Sequence, residues 1–600
     1  MNPIPHAQSL VTRKDSFLAV RPFLIKPATF LKESVPIRAV KFCFLTIVLF
    51  SLVRPTLALE GTVRIHDPST IMECNGKYYT WGTGGTALES DDGWTWRSGT
   101  RCPASGAAPD VIHVGDKYFQ YISHGTMIWT RSLDPESPDY GWQQGGRNVF
   151  GMEGPGDFMN PIDPGAFLDP TTGKLWLTYG SYFGYTRVVE LNPETGLRVD
   201  DKSHDIAINC EATTMIYHDG YYYLLATHGS CCRGADSGYN IRTGRSKSPT
   251  GPFVDNMGID MMLGGGKLVL GSSGRHIGAG HFGLIDEGQG VQKFSLHWEA
   301  DLDLGGASVV DVVPLLWKDG WPIAGESLKE GTYSIESART GTALELAVEG
   351  ISVGGRRGGR GGGGGGRGAG FGGTRGGRGG AGTRGGGQGA APGGRGGTRG
   401  AVPGAGNFAG AVGGEEGAAP GGRGGAGFGV ARRGGAGAGA TRGGRGGGGM
   451  FGGGGGMFGG SGGVIPDQNA ADVMATWPEG NIDIRMAGYM CQAQQKWTIS
   501  PVEGAGGYLG SPYFKISIAD TERVLAATED NELVSLPGFT GEPEQLWRIE
   551  QLTDGTWRIM PKSASDAKES LCLSAIGSSF ATLEKFNPDS DKQRWLFKNP

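Results

Sequence analysis

A turn followed by a short aromatic strand recurs along the first half of the chain. The glycines that open the first four copies are spaced by 39, 58 and 47 residues, at Gly76, Gly115, Gly173 and Gly220, and a weaker fifth copy surrounds Phe294. No sustained helical periodicity interrupts this part of the sequence. A unit of several strands that recurs at roughly 40 to 50 residues is typical of propeller blades. Five copies therefore predict an all-β fold with a five-bladed β-propeller over residues 59–326.

The tract at residues 354–463 consists mostly of glycine and arginine. It holds 14 arginines, no lysine and two acids, so its charge is 14 − 2 = +12, while the remainder of the chain carries −5 − 12 = −17. Such a segment has too little apolar surface to offset the entropy of ordering, and we predict that it is disordered. An acidic body with a basic insertion does not fit a nucleic-acid-binding domain, whose folded part would itself be basic.

The N-terminal extension, residues 1–58, carries an apolar run from Phe42 to Val53 behind Arg38 and Lys41. At 12 residues the run is too short for the ~20 that span a bilayer, and small residues near Ala58 suit cleavage. We predict a secretory signal, no stable membrane span, and a secreted, periplasmic or cell-envelope location. An uncleaved membrane anchor is the alternative interpretation.

The cysteine count constrains the disulfides. Of eight cysteines, Cys43 lies in the predicted signal, which leaves 8 − 1 = 7, so at least one thiol has no partner within the chain. Two pairings are open, Cys74 with Cys102 and Cys231 with its neighbour Cys232. No cysteine spacing resembles a zinc site.

The tripeptide Gln-x-Trp occurs three times near the C-terminus, at intervals of 50 and 48 residues, as Gln495-Lys496-Trp497, Gln545-Leu546-Trp547 and Gln593-Arg594-Trp595. These repeats resemble the ricin-type β-trefoil lectins, in which each of three lobes ends with this tripeptide and its tryptophan packs into the shared core. The resemblance implies a β-trefoil made of residues 327–353 and 464–600. The glycine-rich tract would interrupt the first lobe as a surface loop, because closure entropy grows slowly with loop length.

Sugar-binding lobes of such lectins normally carry an acidic residue in the strand after the lobe opening. Glu345, in Leu344-Glu345-Leu346, fills that position, whereas Leu525-Ala526 and Leu573-Ser574 lack the acid. The resemblance therefore marks Glu345 as a lectin-site residue and the first lobe as the sugar-binding one. A trefoil without sugar binding is the alternative.

Three acidic residues precede strands of different blades. Asp67 lies in His66-Asp67-Pro68-Ser69, Asp163 in the segment 160–165, and Glu211 in Cys210-Glu211-Ala212. Since the innermost strand of each blade lines the central channel, the three carboxyls are expected to converge at one mouth of it. The alternative for Asp67 and Asp163 is that they only initiate Asp-Pro turns.

With the segments 229–234, 239–242, 244–246 and 280–281, these motifs resemble the arabinanases of glycoside hydrolase family 43 over residues 61–322. The resemblance implies that Asp67 is the general base, Glu211 the general acid, and Asp163 the carboxylate that orients the acid and raises its pKa. Hydrolysis with inversion needs a base and an acid roughly 6.5 to 9.5 Å apart, so that a water fits between them. A neighbouring carboxylate keeps the acid protonated near neutral pH.

The same resemblance implies further site residues. His281 would help to hold a metal ion, commonly calcium, on the propeller axis, and a core histidine bonded to backbone is the alternative. Ser181, Tyr182 and Phe183 would line the sugar pocket, and the two aromatics are otherwise ordinary core residues. Calcium at an imidazole is unusual chemistry, because calcium prefers oxygen ligands.

The function that follows is a secreted hydrolase of plant-type arabinan, endo-acting on α-1,5 linkages with inversion, and without an organic cofactor. Two alternatives stay open: an exo-acting arabinofuranosidase or β-xylosidase, and a noncatalytic carbohydrate-binding protein. The Arg/Gly tract would contact an acidic polysaccharide such as pectin, or would serve as an inert linker.

Overall fold

Five β-sheets follow one another along residues 59–326. The computed structural model describes residues 59–151, 159–348, 470–565 and 570–600. In each of the five sheets, four strands lie side by side in the order in which they occur along the chain. The predicted signal and the Arg/Gly tract lie outside the described residues. The first sheet contains β1 (Glu60–Gly61), β2 (Met72–Cys74), β3 (Lys77–Gly82), β4 (Thr86–Ser90) and β5 (Thr95–Ser98), and the second contains β6 (Asp110–Val114), β7 (Lys117–Ile122), β8 (Thr126–Thr130) and β9 (Gln143–Gly146).

The next three sheets repeat this plan. The third contains β10 (Gly165–Leu168), β11 (Leu175–Tyr179), β12 (Thr186–Leu191) and β13 (His204–Ala207). The fourth contains β14 (Glu211–His218), β15 (Tyr221–His228), β16 (Asn240–Ser246) and β17 (Lys267–Leu270). The fifth contains β18 (His276–Gly288), β19 (Val291–Asp301), β20 (Ala307–Lys318) and β21 (Trp321–Ala324).

The prediction of a five-bladed propeller is confirmed. The recurring aromatic strand is the second strand of each blade, and its side chains are buried, as for Phe119, Tyr223 and Phe294. First strands of successive blades contact one another, β2 with β6, β6 with β10, β10 with β14 and β14 with β18, which places them around the axis. Loops that precede these strands therefore open at one end of the channel.

The ring closes between blades one and five. Val310 in β20 donates its N–H to the carbonyl of Val63 at 2.9 Å, and Ile65 donates to the carbonyl of Ser308 at 3.3 Å. The segment ahead of β2 thus pairs with an outer strand of the fifth blade. We refer to this junction as the seam.

The C-terminal region is a second all-β structure. Its strands are β22 (Gly331–Ser337), β23 (Thr342–Leu346), β24 (Ile482–Gly488), β25 (Trp497–Pro501), β26 (Gly507–Tyr508), β27 (Ser511–Pro512), β28 (Phe514–Ile518), β29 (Val524–Ala527), β30 (Leu533–Leu536), β31 (Trp547–Gln551), β32 (Trp557–Pro561), β33 (Leu571–Ile576), β34 (Phe580–Lys585) and β35 (Trp595–Lys598). Six of them, β22, β25, β28, β31, β32 and β35, pair in a closed ring, which we call the barrel. Three hairpins lie beside it, β23 with β24, β29 with β30 and β33 with β34, and β26 pairs with β27 in a shorter fourth hairpin.

Residues 349–469 are flanked by two strands that pair directly. Leu346 at the end of β23 stands opposite Ile484, and the antiparallel register continues to Thr342 opposite Gly488. The chain therefore leaves and re-enters the first hairpin at neighbouring positions. This geometry is compatible with an insertion that does not alter the pairing of the strands around it.

The three Gln-x-Trp tryptophans build the core of the barrel. Trp497, Trp547 and Trp595 are each 0% exposed. Each indole N–H donates to a backbone carbonyl in the first strand of the hairpin that precedes the tryptophan. The acceptors are Leu344 in β23 at 2.8 Å, Leu525 in β29 at 3.0 Å and Leu573 in β33 at 2.8 Å. In all three repeats the side-chain Oε1 of the glutamine accepts a hydrogen bond from a backbone N–H five or six residues earlier in the chain. The repeats are thus three equivalent structural units.

Helices are few in the described ranges. The α-helices are α1 (Ala470–Met474) and α2 (Lys562–Ser565), and short 3-10 turns occupy Thr83–Gly85, Gly234–Asp236, Met261–Leu263, Ala493–Gln495, Pro543–Gln545 and Asp591–Gln593. Within the residues that the structure covers, no helix is both long enough and apolar enough to cross a membrane.

The structure contains one of the two possible disulfides. Cys231 and Cys232 form a disulfide, as one interpretation allowed. The pairing of Cys74 with Cys102 is wrong, because both are free thiols. Each contacts a polar side chain instead: the Cys102 thiol donates to Gln120 Oε1 at 2.6 Å, and the Cys74 sulfur lies 3.5 Å from Ser132 Oγ.

Candidate active site

The three predicted carboxylates stand at the starts of first strands in blades one, three and four. Asp67 precedes β2, Asp163 precedes β10, and Glu211 is the first residue of β14. Asp67 and Asp163 adopt φ angles of 50° and 54°, in the left-handed region that non-glycine residues rarely occupy. Such backbone strain persists only where the surroundings enforce it, and it is concentrated at functional sites.

Asp67 is surrounded by hydrogen-bond donors and histidines. Thr83 donates its hydroxyl to Oδ2 at 2.6 Å, and His66 Nδ1 lies 2.8 Å from the same oxygen. Oδ1 faces His281 Nδ1 at 3.7 Å. Burial by itself raises the pKa of Asp67, but the His66 hydrogen bond and the nearby His281 and His297 outweigh it and hold the pKa well below its usual range. Asp67 is therefore ionised at neutral pH.

Glu211 has the opposite electrostatic environment. Ser181 donates its hydroxyl to Oε2 at 2.6 Å, and the Tyr239 hydroxyl donates to Oε1. Burial raises the pKa of Glu211, the two hydrogen bonds lower it, and the charge of Asp67 raises it again, so that the net pKa lies above the ordinary value. The carboxyl thus retains its proton to higher pH than an exposed glutamate does.

Asp163 lies close enough to Glu211 for the charges of the two carboxyls to interact. Its side chain is buried, and burial followed by the charges of Glu211 and Asp67 raises its pKa well above the ordinary value, against a hydrogen bond from the backbone of Ala212. Two buried carboxyls that repel each other hold a proton between them. The structure therefore brings all three predicted acids into one electrostatic site.

Three further residues belong to this site, His66, His297 and Glu299, and the sequence patterns did not indicate a role for them. His297 Nδ1 accepts the backbone N–H of Asp67 at 2.7 Å, which places the ring proton on Nε2, 3.5 Å from Glu299 Oε1. His66 lies between Asp67 and Glu299, and hydrogen bonds to both raise its pKa to about 10. The available signal was the alternation of polar residues in the otherwise apolar strand β19.

His281 lies in the same cluster. It is 6% exposed, its backbone N–H donates to Thr227 Oγ1 at 3.2 Å, and burial lowers its pKa to about 4, so the imidazole is neutral at pH 7. The ligand-type atoms of His66, Asp67 and His297 lie within 4.8 Å of one another. This donor set is rich in nitrogen, whereas calcium takes 6 to 8 oxygens. The protein groups described here do not by themselves form a calcium cage.

The predicted sugar-pocket residues fall into two environments. Ser181 is buried against Glu211, whereas Tyr182 and Phe183 are 42% and 57% exposed. The Tyr182 hydroxyl donates to the carbonyl of Thr227 at 3.4 Å. The core interpretation of the two aromatics is therefore wrong. They stand in the loop between β11 and β12 that also carries Ser181, beside the acid.

Glu345, the predicted lectin residue, is buried inside the first hairpin at 3% exposure. Arg485 Nε donates to its Oε1 at 2.7 Å, and the amide of Gln495 donates to Oε2 at 2.8 Å. Both oxygens are thus engaged within the protein. This geometry supports a structural role and gives no support to sugar contact through this carboxylate.

A propeller mouth that holds one carboxylate of lowered pKa and, on another blade, a carboxyl of raised pKa has the base and the acid that glycoside hydrolases use. Comparison with known proteins agrees. The profile of the family described as glycosyl hydrolases family 43 matches residues 71–322.

Relatives fix the family. The chain is 32% identical over 261 residues to the probable arabinan endo-1,5-alpha-L-arabinosidase A of Aspergillus flavus, covering 38% of this chain and 80% of that protein. It is 29% identical over 304 residues to the extracellular exo-alpha-(1->5)-L-arabinofuranosidase of Cellvibrio japonicus, covering 43% and 86%. The crystal structure of an exo-1,5-alpha-L-arabinanase from a bovine ruminal metagenomic library is 29% identical, with 44% and 97% covered and a TM-score of 0.40. The chain belongs to glycosyl hydrolases family 43 and is a glycoside hydrolase.

Proposed function

We propose that the protein is a secreted arabinan hydrolase that cleaves α-1,5-linked L-arabinofuranosyl chains, endo-acting and with inversion of configuration. The observation that carries this proposal is the split in carboxyl pKa values across the propeller mouth, low for Asp67 and raised for Glu211. The names of the relatives supply the substrate class, since they act on arabinan or on its α-1,5 linkages.

In this mechanism Asp67 is the general base. Its charge is maintained by the neighbouring His66, whose pKa of about 10 keeps the imidazole protonated. The Asp67 carboxylate removes a proton from a water molecule as that water attacks the anomeric carbon. Because His297 accepts the Asp67 N–H, the backbone as well as the side chain of the base is held in place.

Glu211 is the general acid in the same proposal. Its proton passes to the oxygen of the leaving arabinose as the glycosidic bond breaks. The resulting carboxylate is stabilised by the hydroxyls of Ser181 and Tyr239, which already donate to its two oxygens. Asp163 acts through Glu211, because the mutual repulsion of two buried carboxyls disfavours the state in which both have lost their protons.

The pattern of products tests this proposal and separates it from the exo alternatives. Chromatography of the products released from debranched linear arabinan should show a ladder of short oligosaccharides early in the reaction. Arabinose alone would establish exo action, and release of xylose from xylan would establish the β-xylosidase alternative. Binding of arabinan without any release by the wild type would support the noncatalytic alternative and contradict the proposal.

We also propose that the C-terminal barrel is a ricin-type β-trefoil. Support comes from the closed ring of six strands, the three hairpins and the three equivalent buried tryptophans. Because Glu345 is engaged by Arg485 and Gln495, a trefoil that binds no sugar through its first lobe fits the geometry better. Titration of the protein with free arabinose and galactose, neither of which it can hydrolyse, would reveal a lectin site if one exists.

Two further proposals concern ions and polymers. A calcium ion at His281 would have to take most of its ligands from water, and metal analysis before and after dialysis against a chelator tests it by stoichiometry. The Arg/Gly tract, with its charge of 14 − 2 = +12, would retain the enzyme on pectin through its anionic groups. Deletion of residues 354–463 should then abolish retention on pectin at low salt.

A further inference from the structure

A hairpin of the C-terminal region reaches into the seam of the propeller. This hairpin, residues 507–512, comprises β26, β27 and the turn between them, and we call it the clasp. On the blade-one side, Gly507 donates its N–H to Asp92 Oδ2 at 2.9 Å and Gly510 donates to the carbonyl of Gly93 at 3.1 Å. On the blade-five side, the carbonyl of Leu509 accepts from Lys293 Nζ at 2.8 Å. The clasp thus bridges the two blades at which the ring closes.

The packing at the clasp is as close as its hydrogen bonding. The Leu509 side chain is 2% exposed and belongs to the hydrophobic core shared by Trp94 of blade one and Val312 of blade five. A Cβ atom at Gly507 would stand 2.3 Å from Trp94 Cβ, and one at Gly510 would stand 2.7 Å from Val312 Cγ1. Only glycine permits this approach. Leu509 therefore completes the propeller core from a different part of the chain.

One face of β19 connects the clasp to the active site. Alternate residues of a strand point to the same side, so Lys293, Ser295, His297 and Glu299 share a face, and all four are buried. Lys293 binds the clasp, Ser295 accepts the N–H of Ile71 at 3.2 Å, and His297 accepts the N–H of Asp67 at 2.7 Å. At 3.3 Å per residue, the clasp contact lies about 13 Å along the strand from the Asp67 contact.

We propose that the clasp is a positioning element of the active site. It holds blade five against blade one, and thereby fixes the register in which β19 presents His297 to the backbone of Asp67. The C-terminal region then stabilises the closed propeller, in addition to any role in binding polymer. This inference rests on the proposed role of Asp67 as the base.

The expected consequence is a selective loss of turnover when the clasp is loosened. A base displaced by a fraction of an ångström still permits substrate binding but supports the transition state poorly. In Leu509→Ala, kcat on linear arabinan should fall about tenfold while KM changes less than about twofold. Hydrogen–deuterium exchange of the amides in residues 62–72 should become faster in the same variant.

The matched control is Leu533→Ala, which removes a leucine of 6% exposure from the barrel's own core in β30. It destabilises the barrel without touching the seam, so kcat and the exchange of residues 62–72 should stay at wild-type values. Equal kcat in the two variants, or unchanged exchange of residues 62–72 in Leu509→Ala, would overturn the proposal.

Two further outcomes are covered by this design. If Leu509→Ala does not fold, Leu509→Val removes less volume, and the same two measurements against Leu533→Val decide the question. If the wild type hydrolyses no arabinan, the proposed function fails, but the exchange measurement still tests the clasp, because it needs no substrate.

Discussion

The ionic cluster between the propeller and the barrel predicts that Glu550→Gln is strongly destabilising. Glu550 Oε1 accepts from Lys293 at 3.1 Å and from Arg548 at 2.8 Å, and Oε2 accepts two hydrogen bonds from Arg558, at 2.9 and 2.6 Å. The side chains of Glu550, Lys293 and Arg558 are only 2%, 7% and 5% exposed. The neutral amide would leave three cations with Glu287 as the remaining carboxylate of this cluster, and Glu287 pairs with Lys293 and Arg548.

Removing one partner of a buried ion pair costs about 3 to 5 kcal/mol, because the remaining charges stay buried without compensation. We therefore expect Glu550→Gln to lower the free energy of unfolding by about 3 kcal/mol or more at pH 7. Urea unfolding followed by tryptophan fluorescence measures it, with the exposed Glu532→Gln as control. A loss below about 1 kcal/mol would refute the assignment of this cluster as a buried, tightly coupled network.

The pH dependence provides a second check. Burial raises the pKa of Glu550, but Arg548, Arg558 and Lys293 outweigh it, so the folded-state pKa lies well below the ordinary value of 4.5. A depressed folded pKa contributes stability that is present above the unfolded pKa and is lost as the pH falls through the folded one. The difference between the wild type and Glu550→Gln should therefore be constant from pH 6 to 8 and shrink below about pH 4.5.

Three further predictions concern the active site. Tyr239→Phe removes a hydrogen bond that lowers the pKa of Glu211, so the alkaline limb of the kcat/KM profile should move to higher pH and kcat should fall about tenfold; an unmoved limb would contradict this. Glu211→Gln should raise the free energy of unfolding by about 1 kcal/mol at pH 8 and leave it unchanged at pH 4. The reason is that the raised folded-state pKa makes the ionised Glu211 carboxylate destabilising at high pH, whereas at pH 4 the carboxyl is largely protonated in both states. Equal effects at both pH values would be inconsistent with the raised pKa. Reduction of the Cys231–Cys232 disulfide by dithiothreitol should lower kcat/KM several-fold and reversibly. The backbone N–H groups of Cys232 and of the next residue, Arg233, donate to Glu299, which lies beside the base. A Cys231→Ser/Cys232→Ser double variant should be insensitive to the reagent.

The sequence predicted those parts of the molecule that repeat. The turn and aromatic strand marked the second strand of every blade because the same burial recurs there, and Gln-x-Trp marked three equivalent core positions for the same reason. Asp67, Asp163 and Glu211 could be identified because each sits in a recognisable motif ahead of a strand. The pKa values of these carboxyls could be predicted from the sequence only in part, because they depend on burial and on neighbours from other blades.

The remaining features arise from contacts between distant segments. His297 and Glu299 approach Asp67 because the ring closes between blades one and five, and nothing local to β19 specifies that neighbour. Leu509 enters the propeller core from a hairpin more than 400 residues after Trp94, as the Gly507 to Asp92 contact at a separation of 415 illustrates. A disulfide between Cys74 and Cys102 was plausible only because a secreted protein reaches an oxidising compartment. Their side chains contact Ser132 and Gln120 instead.

Initial rates of reducing-end release from linear arabinan show whether Asp67 and Glu211 perform the hydrolysis. The wild type, Asp67→Asn, Glu211→Gln and the control Glu136→Gln should be compared after circular dichroism has shown that each is folded. Glu136 is a suitable control because it is 85% exposed and lies in the connection between β8 and β9. The control should keep the wild-type rate, and each active-site variant should lose at least about a thousandfold. A rate within tenfold of the wild type in either variant would contradict it.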